Sequence, residues 1–285
     1  MLKKTKKILN KQIKTNSTES SGYYIAPPVI GMLNKGKEAV LHKDWDRVYI
    51  IDGTEGSGKS LLGLQLGFYL DPTLNLNRIT FSGEKFAKAV ENAKKGQCII
   101  FDEAFNGLSS SGATSKLNRL ITRKLQECRQ RNLFLIIILP TFFMLQKYAA
   151  IFRSKALFHV YSTKKGVRGY YKVYNPKNKK RLYLSGAKLY SYKYPYVKHS
   201  YRFYGKYPLD ESEYRTKKLE ALKFNEDETA TPGYQWKVQR DIMIIYLHYE
   251  LKLTYESIEL VYKDCEYPLS SRQIGEICRK FNKST

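Results

Sequence analysis

The chain has 285 residues, with 50 Lys or Arg against 26 Asp or Glu, a formal net charge of +24. A hydrophobic share of 42% is that of a folded protein and excludes a wholly disordered chain. The longest apolar run, Leu133 to Leu139, is too short to cross a bilayer, and the cysteines at 98, 128, 265 and 278 show neither C-x-x-C pairing nor nearby histidines, which argues against a zinc site.

Such a charge suits a polyanionic partner, nucleic acid first and an anionic membrane surface second; a generally Lys-rich composition is the bland alternative. Unpaired cysteines fit a reducing, cytoplasmic compartment. Residues 1–20 are Lys-, Asn- and Ser-rich and read as a flexible basic arm, with no apolar segment that would make a secretory signal. Residues 21–46, with Tyr23, Tyr24, Pro27, Pro28 and Trp45, are expected to pack irregularly ahead of the first strand.

Val48 to Ile51 is a short apolar run and reads as a buried strand. It leads into Gly53-Thr54-Glu55-Gly56-Ser57-Gly58-Lys59-Ser60, which fits G-x-x-x-x-G-K-[ST], and Leu61 opens a helical stretch that stops at Asp71-Pro72. Strand, glycine-rich loop and helix in that order are the context this phosphate-binding motif requires. The glycines let successive N–H groups point at one phosphate, the helix N-terminus adds a positive dipole end, and Lys59 is placed to reach the β- and γ-phosphates. The Ser60 hydroxyl is the expected ligand for Mg²⁺. Residues 53–61 are therefore the candidate ATP-binding loop.

Arg78 to Phe81 is a short strand candidate, and Ser82 caps a helix near 83–94 that closes at Gly96. Cys98-Ile-Ile-Phe101 is a strand ending in Asp102-Glu103. Beside a phosphate loop, Asp102 is expected near Mg²⁺ and Glu103 near the γ-phosphate as general base; alone, the pair is only a strand ending in solvated acids. A helix over 115–131 leads to the buried strand 133–139, which ends at Pro140-Thr141. Thr141 is either a γ-phosphate sensor or merely a helix N-cap. Arg123, Arg129, Arg131 and Arg153 are candidates for an arginine supplied to a neighbouring subunit, with Arg129 first; surface pairing is the bland reading of each. Strands alternating with helices predict an α/β domain with a parallel sheet.

Residues 161–207 hold 13 Lys or Arg, 12 Tyr and no acidic residue. Gly169–Tyr174 and Arg181–Leu184 read as two strands of a hairpin turning at Asn175–Asn178. Cations and aromatic faces together suit single-stranded nucleic acid, while tyrosines packed on a sheet are the structural alternative. The P-loop domain with this hairpin extension thus covers 21–208. Residues 209–233 read as a linker or connecting helix. Residues 234–285 read as three helices, over 236–250, 254–263 and 270–281. Thr254 is an N-cap, Ser270 and Gln273 form a capping box, and Ile274, Ile277, Cys278 and Phe281 make an apolar stripe. That pattern suits a DNA-binding helix-turn-helix with Arg272 and Gln273 at the start of its third helix; small helical bundles that never touch DNA share the periodicity.

GTEGSGKS, CIIFDEA and the stretch from Arg129 through LFLIIILP to Arg153-Ser154 resemble P-loop ATPases of the HerA/FtsK-like superfamily. Within it they are most similar to the zonula-occludens-toxin-like subgroup of viruses and mobile elements. The resemblance covers roughly residues 46–160, and the chain departs from it where Pro140-Thr141 replaces the usual glutamine at the end of the sensor strand. It implies a RecA-like fold, ATP and Mg²⁺ as cofactors, DNA as partner, self-association into a ring and a place in the cytoplasm, in a host cell for a viral protein. The implied function is a motor for DNA translocation, packaging or transfer. An ATP-switched DNA-binding regulator or partition-type protein, and a small-molecule kinase, are the competing expectations.

Overall fold

A computed structural model describes residues 22–102, 111–227, 234–263 and 268–282; Glu103, Cys265 and the basic arm 1–20 lie outside the described residues. The chain divides near residue 227 into two compact units.

The first unit is built on eight strands: β1 (Tyr23–Ile25), β2 (Arg47–Gly53), β3 (Ile79–Thr80), β4 (Cys98–Phe101), β5 (Phe134–Ile138), β6 (Ala156–Tyr161), β7 (Tyr170–Tyr174) and β8 (Ser200–Gly205). They form one sheet in the order β1-β8-β7-β6-β2-β5-β4-β3. Strands β6, β2, β5, β4 and β3 run parallel, and β7, β8 and β1 extend the sheet antiparallel beyond β6.

Both faces of the parallel part are buried, which is why its strands read as unbroken apolar runs. Tyr49, Ile51, Ile100, Ile136 and Phe158 lie in one core, with residues of helices α1 (Pro27–His42), α2 (Lys59–Leu70) and α6 (Glu211–Asp227). Val48, Ile50, Ile99, Leu135 and Leu157 lie in the other, with residues of α3 (Gly83–Asn92), α4 (Ser111–Arg131) and α5 (Pro176–Gly186). This is the expected fold class: an α/β, RecA-like P-loop sheet flanked by helices, followed by a helical unit.

Two local expectations are corrected. Residues 21–46 are regular rather than irregular: β1 pairs with β8, and Pro27 opens α1 at a position where its missing N–H is not needed. The hairpin at 169–184 is half wrong. β7 forms, but Asn175 caps a helix by accepting from the Asn178 N–H at 2.9 Å, and Pro176 fixes its first turn, so Arg181–Leu184 is helical. The antiparallel partners of β7 are β6 and β8 instead. Of the linker and the connecting helix expected over 209–233, residues 211–227 form the helix, α6, with the buried Tyr214 and Ala221 in the core.

The second unit contains α7 (Tyr234–Tyr249), α8 (Tyr255–Tyr262) and α9 (Ser271–Asn282), which bury Ile244, Ile258, Leu269, Ile274 and Cys278 together. Thr254 Oγ1 accepts from the Ser257 N–H at 3.2 Å. The capping box forms as written, with Ser270 N–H donating to Gln273 Oε1 at 3.0 Å and Gln273 N–H to Ser270 Oγ at 3.4 Å. Among the described residues no helix is long and apolar enough to cross a membrane.

One buried carboxylate ties the end of α2 to β4 and to the segment before β3. Asp71, at the end of α2, accepts from the Arg78 guanidinium and, at 2.8 Å, from the Cys98 N–H. Burial raises the Asp71 carboxyl, but the Cys98 amide, the Thr73 hydroxyl and amide and the Arg78 charge outweigh it and hold the group below its ordinary value. A depressed carboxylate stabilises the fold above its unfolded value, and the contribution is lost as pH falls through the folded one. Asp71→Asn is expected to lower the unfolding free energy by ~3 kcal/mol at neutral pH, because it strands Arg78. In urea titrations this deficit should shrink below about pH 4.

Candidate functional site

The phosphate loop hangs between β2 and α2 and owes its path to two glycines. Gly53 has φ +140°, and a Cβ there would meet the Val160 carbonyl oxygen at 1.9 Å, so only glycine lets β2 run this close to β6. Gly58, the residue before α2, has φ +99°, and a Cβ would press on the Phe203 ring at 3.0 Å. Ser57 closes the loop on itself, its hydroxyl donating to the Thr54 carbonyl at 2.7 Å. Lys59 Nζ lies over the loop and donates to the carbonyls of Gly53 at 2.7 Å and Thr54 at 2.9 Å.

Strand β5 lies between β2 and β4. The acidic strand is therefore two strand spacings, about 10 Å, from the loop strand, and the residues after β5 stand between them at the C-terminal edge of the sheet. The Gly53 N–H donates to the Pro140 carbonyl at 3.4 Å. A cavity of about 470 Å³ opens there, lined by Glu55, Gly56, Gly58, Lys59, Ser60 and Leu61 of the loop and helix, by Ile138, Leu139 and Pro140, and by Arg168, Tyr207 and Lys218.

Ser60 and Asp102 are brought together through α6. Lys218 Nζ donates to Ser60 Oγ at 3.4 Å and lies 3.7 Å from Asp102 Oδ2. The Tyr214 phenol donates to Asp102 Oδ2 and stands close to the Ser60 hydroxyl. Burial first, and the Asp102 charge and hydrogen bond after it, push the Tyr214 phenol far above its ordinary value, so it remains a donor at neutral pH. Asp102 is 1% exposed, and its Oδ1 has no hydrogen-bond partner among the described residues. A hydroxyl and a buried carboxylate oxygen in want of a partner are hard oxygen donors of the kind Mg²⁺ takes.

Thr141 does not line the cavity. Its hydroxyl is bonded to Tyr192 at 2.9 Å, inside a network centred on Asp52, the fully buried residue before Gly53. Asp52 accepts from the Phe142 N–H at 2.9 Å and from the Tyr192 phenol, and its other oxygen pairs with His159 Nδ1 at 2.9 Å. Tyr192 stacks on the His159 ring at 4.0 Å. The network pins the turn after β5 to β2 and β6.

Arg129 lies at the other end of β2. It donates to the Asp44 carbonyl at 2.6 Å and sits over Trp45 at 5.3 Å, roughly 20 Å of strand away from the loop. Arg153 donates to Asp46 at 2.5 Å and to the Leu125 carbonyl at 2.7 Å, and Arg131 donates to the Ala93 carbonyl at 3.5 Å. In these three the structure shows intrachain pairing.

Arg168, Tyr207, Tyr214 and Lys218 are the site residues that sequence reasoning missed. Arg168 follows β6, with Nη2 3.8 Å from where a Cβ on Gly56 would stand. None of the four belongs to a motif; a Tyr and a Lys one helical turn apart, at 214 and 218, are the only local hint.

No protein-family model matches the chain, nor does any curated protein. Among solved structures, AMPPCP-bound DnaA from Aquifex aeolicus is similar at a TM-score of 0.31, with 12% identity over 91% of this chain and 89% of that one. A likeness of that size carries no argument about what this chain does.

Tyr192→Phe tests the network beside the loop. Asp52 would stay buried with one donor fewer, and a loss of roughly 1–3 kcal/mol in unfolding free energy is expected from chemical denaturation.

Proposed function

We propose that the chain is a DNA-associated ATPase of the P-loop class, binding ATP with Mg²⁺ at residues 53–61 and hydrolysing it. One observation carries the reading: Ser60 of the loop and Asp102 of a different strand converge on the same two side chains, Tyr214 and Lys218, so the two motifs share a single site.

In this reading the loop amides and Lys59 hold the β- and γ-phosphates, with Lys59 exchanging its two carbonyl partners for phosphate oxygens. Ser60 and Asp102 hold Mg²⁺, which when bound neutralises charge on the transferring phosphoryl group. Arg168, beside Gly56, and Lys218, beside Ser60, add positive charge to the cavity. Glu103 is assigned the general-base role on its place after Asp102. Thr141 is assigned an indirect part through the turn it ends, and Arg129 a role toward a neighbouring subunit only, its own loop being out of reach.

For DNA, the support is the +24 charge and the antiparallel side of the sheet. There Lys172 stands over the Tyr161 ring at 5.9 Å and the Tyr196 ring at 5.6 Å, Arg202 stands over Tyr170 at 5.1 Å, and Tyr196 is 77% exposed. Aromatic faces beside cations suit stacked bases and phosphates. The second unit is read as a helix-turn-helix-like module that adds orientation on DNA. An oligomeric motor of the HerA/FtsK-like, zonula-occludens-toxin-like kind, serving translocation, packaging or transfer, is the specific form we favour; a regulator switched by ATP is the alternative.

Two variants test the chemistry together. Lys59→Ala is expected to abolish hydrolysis and weaken ATP binding. Glu103→Gln is expected to bind ATP normally and turn over at least ~100-fold more slowly. Wild-type turnover in Lys59→Ala would end the P-loop assignment.

DNA binding is tested by titrating full-length protein on two unrelated sequences at several salt concentrations. With about six phosphates neutralised, affinity should fall by ~10³-fold between 50 and 200 mM salt, equally on both sequences for the non-specific part. Absence of any salt-dependent affinity would remove DNA from the proposal.

A further inference from the structure

We infer that Lys218, positioned by Tyr214, sets the divalent-cation requirement of the nucleotide site: its ammonium neutralises the Asp102 carboxylate from the Oδ2 side and bonds the Ser60 hydroxyl, so it competes for the same charge with a metal taking the unpartnered Oδ1 and Ser60. The inference rests on the nucleotide–metal reading above.

The geometry singles out this lysine among the cations of the cavity. Lys59 is turned onto the Gly53 and Thr54 carbonyls, and Arg168 stands beside Gly56. Lys218 is the one whose Nζ reaches both Ser60 Oγ, at 3.4 Å, and Asp102 Oδ2, at 3.7 Å. Asp102 is buried, so its charge is poorly screened by water and a cation beside it interacts strongly.

Helix α6 is fastened so that this contact recurs. Asp210 Oδ1 accepts from the Glu213 N–H at 2.8 Å at its start, and Tyr214 is buried against Phe81 and Tyr207, each 5.8 Å away by ring centroid. Lys217 donates to the Leu76 carbonyl on the next turn. Lys218 follows Tyr214 by four residues and so projects from the same face. Its side chain keeps 21% exposure and lines the cavity with Lys59 and Arg168. An ammonium displaced from Asp102 therefore remains beside the phosphates and can pair with them. The consequence is a site in which metal entry and transfer of Lys218 to the nucleotide are one exchange.

The test is a Mg²⁺ titration of full-length protein with a fluorescent ATP analogue at fixed concentration, reading nucleotide binding rather than turnover. Lys218→Ala, and Lys218→Met as the variant that keeps the apolar stem, should lower the Mg²⁺ midpoint on the order of tenfold, the competitor being gone. Lys218→Arg, which keeps a cation, should stay near the wild type. Thermal melts identify any variant that fails to fold, and Lys218→Met then carries the comparison with Lys218→Arg. A folded Lys218→Met with an unchanged or raised midpoint overturns the competition and leaves the P-loop reading standing. A wild type that binds no nucleotide at any Mg²⁺ concentration overturns both.

Discussion

A carboxylate with no exposure must find its solvation inside the protein, and Asp52 does so at the last position before the phosphate loop. Its donors come from distant parts of the chain: the turn after β5, the strand β6 and the segment carrying Tyr192. Those segments are the ones that must be fixed for a loop at this edge to keep its shape. Gly53 follows immediately, pressed against Val160 of the same β6, so the strand pairing that Asp52 secures is also what forbids any larger residue there. Loop geometry and buried polar network are one constraint seen from two sides.

The tyrosine-rich stretch serves packing and surface at once. Tyr171 and Tyr174 of β7 are buried in opposite cores, and Phe203 of β8 lies against Gly58 of the loop. Alternate residues on the same strands, Tyr170 and Lys172, face the side where Tyr161, Arg202 and Tyr196 stand. The period of two puts Tyr171 on one face of β7 and Tyr170, Lys172 and Tyr174 on the other, which is covered at Tyr174 and open at Tyr170 and Lys172. A choice between sheet packing and ligand surface for this segment is therefore a false one.

How much could be read in the sequence follows the range of the forces involved. The strands at 48–51, 98–101 and 134–138 are legible because burial on both faces leaves unbroken apolar runs. The caps at Ser82, Thr254 and Ser270 are legible because side chain and amide lie three residues apart. The helix at 176–186 is not legible, because Asn-Pro signals both a turn and an N-cap with Pro at N1, and only the packing of Leu182 and Lys179 decides between them. Lys179 is buried, with its ammonium on the Ala150 and Ile151 carbonyls, a contact no local pattern announces. Tyr214, Lys218 and Arg168 escaped for the same reason: their meaning lies in contacts far along the chain.

The charge of the cavity itself argues for a polyanionic ligand. Among the described residues Lys59, Arg168 and Lys218 line it together with one carboxylate, Glu55, and Lys218 reaches from it to the buried Asp102. Two of the cations are engaged with protein oxygens: Lys59 on loop carbonyls, Lys218 on Ser60 and Asp102. Neutral carbonyls satisfy an ammonium group less strongly than phosphate oxygens would, since charge-assisted pairs are the stronger ones. Among the described residues three cations meet two carboxylates here, a balance suited to a polyphosphate on the proposed reading. On the proposed reading, the lysines that hold the loop and the acidic strand in place are also the ones a polyphosphate would draw on.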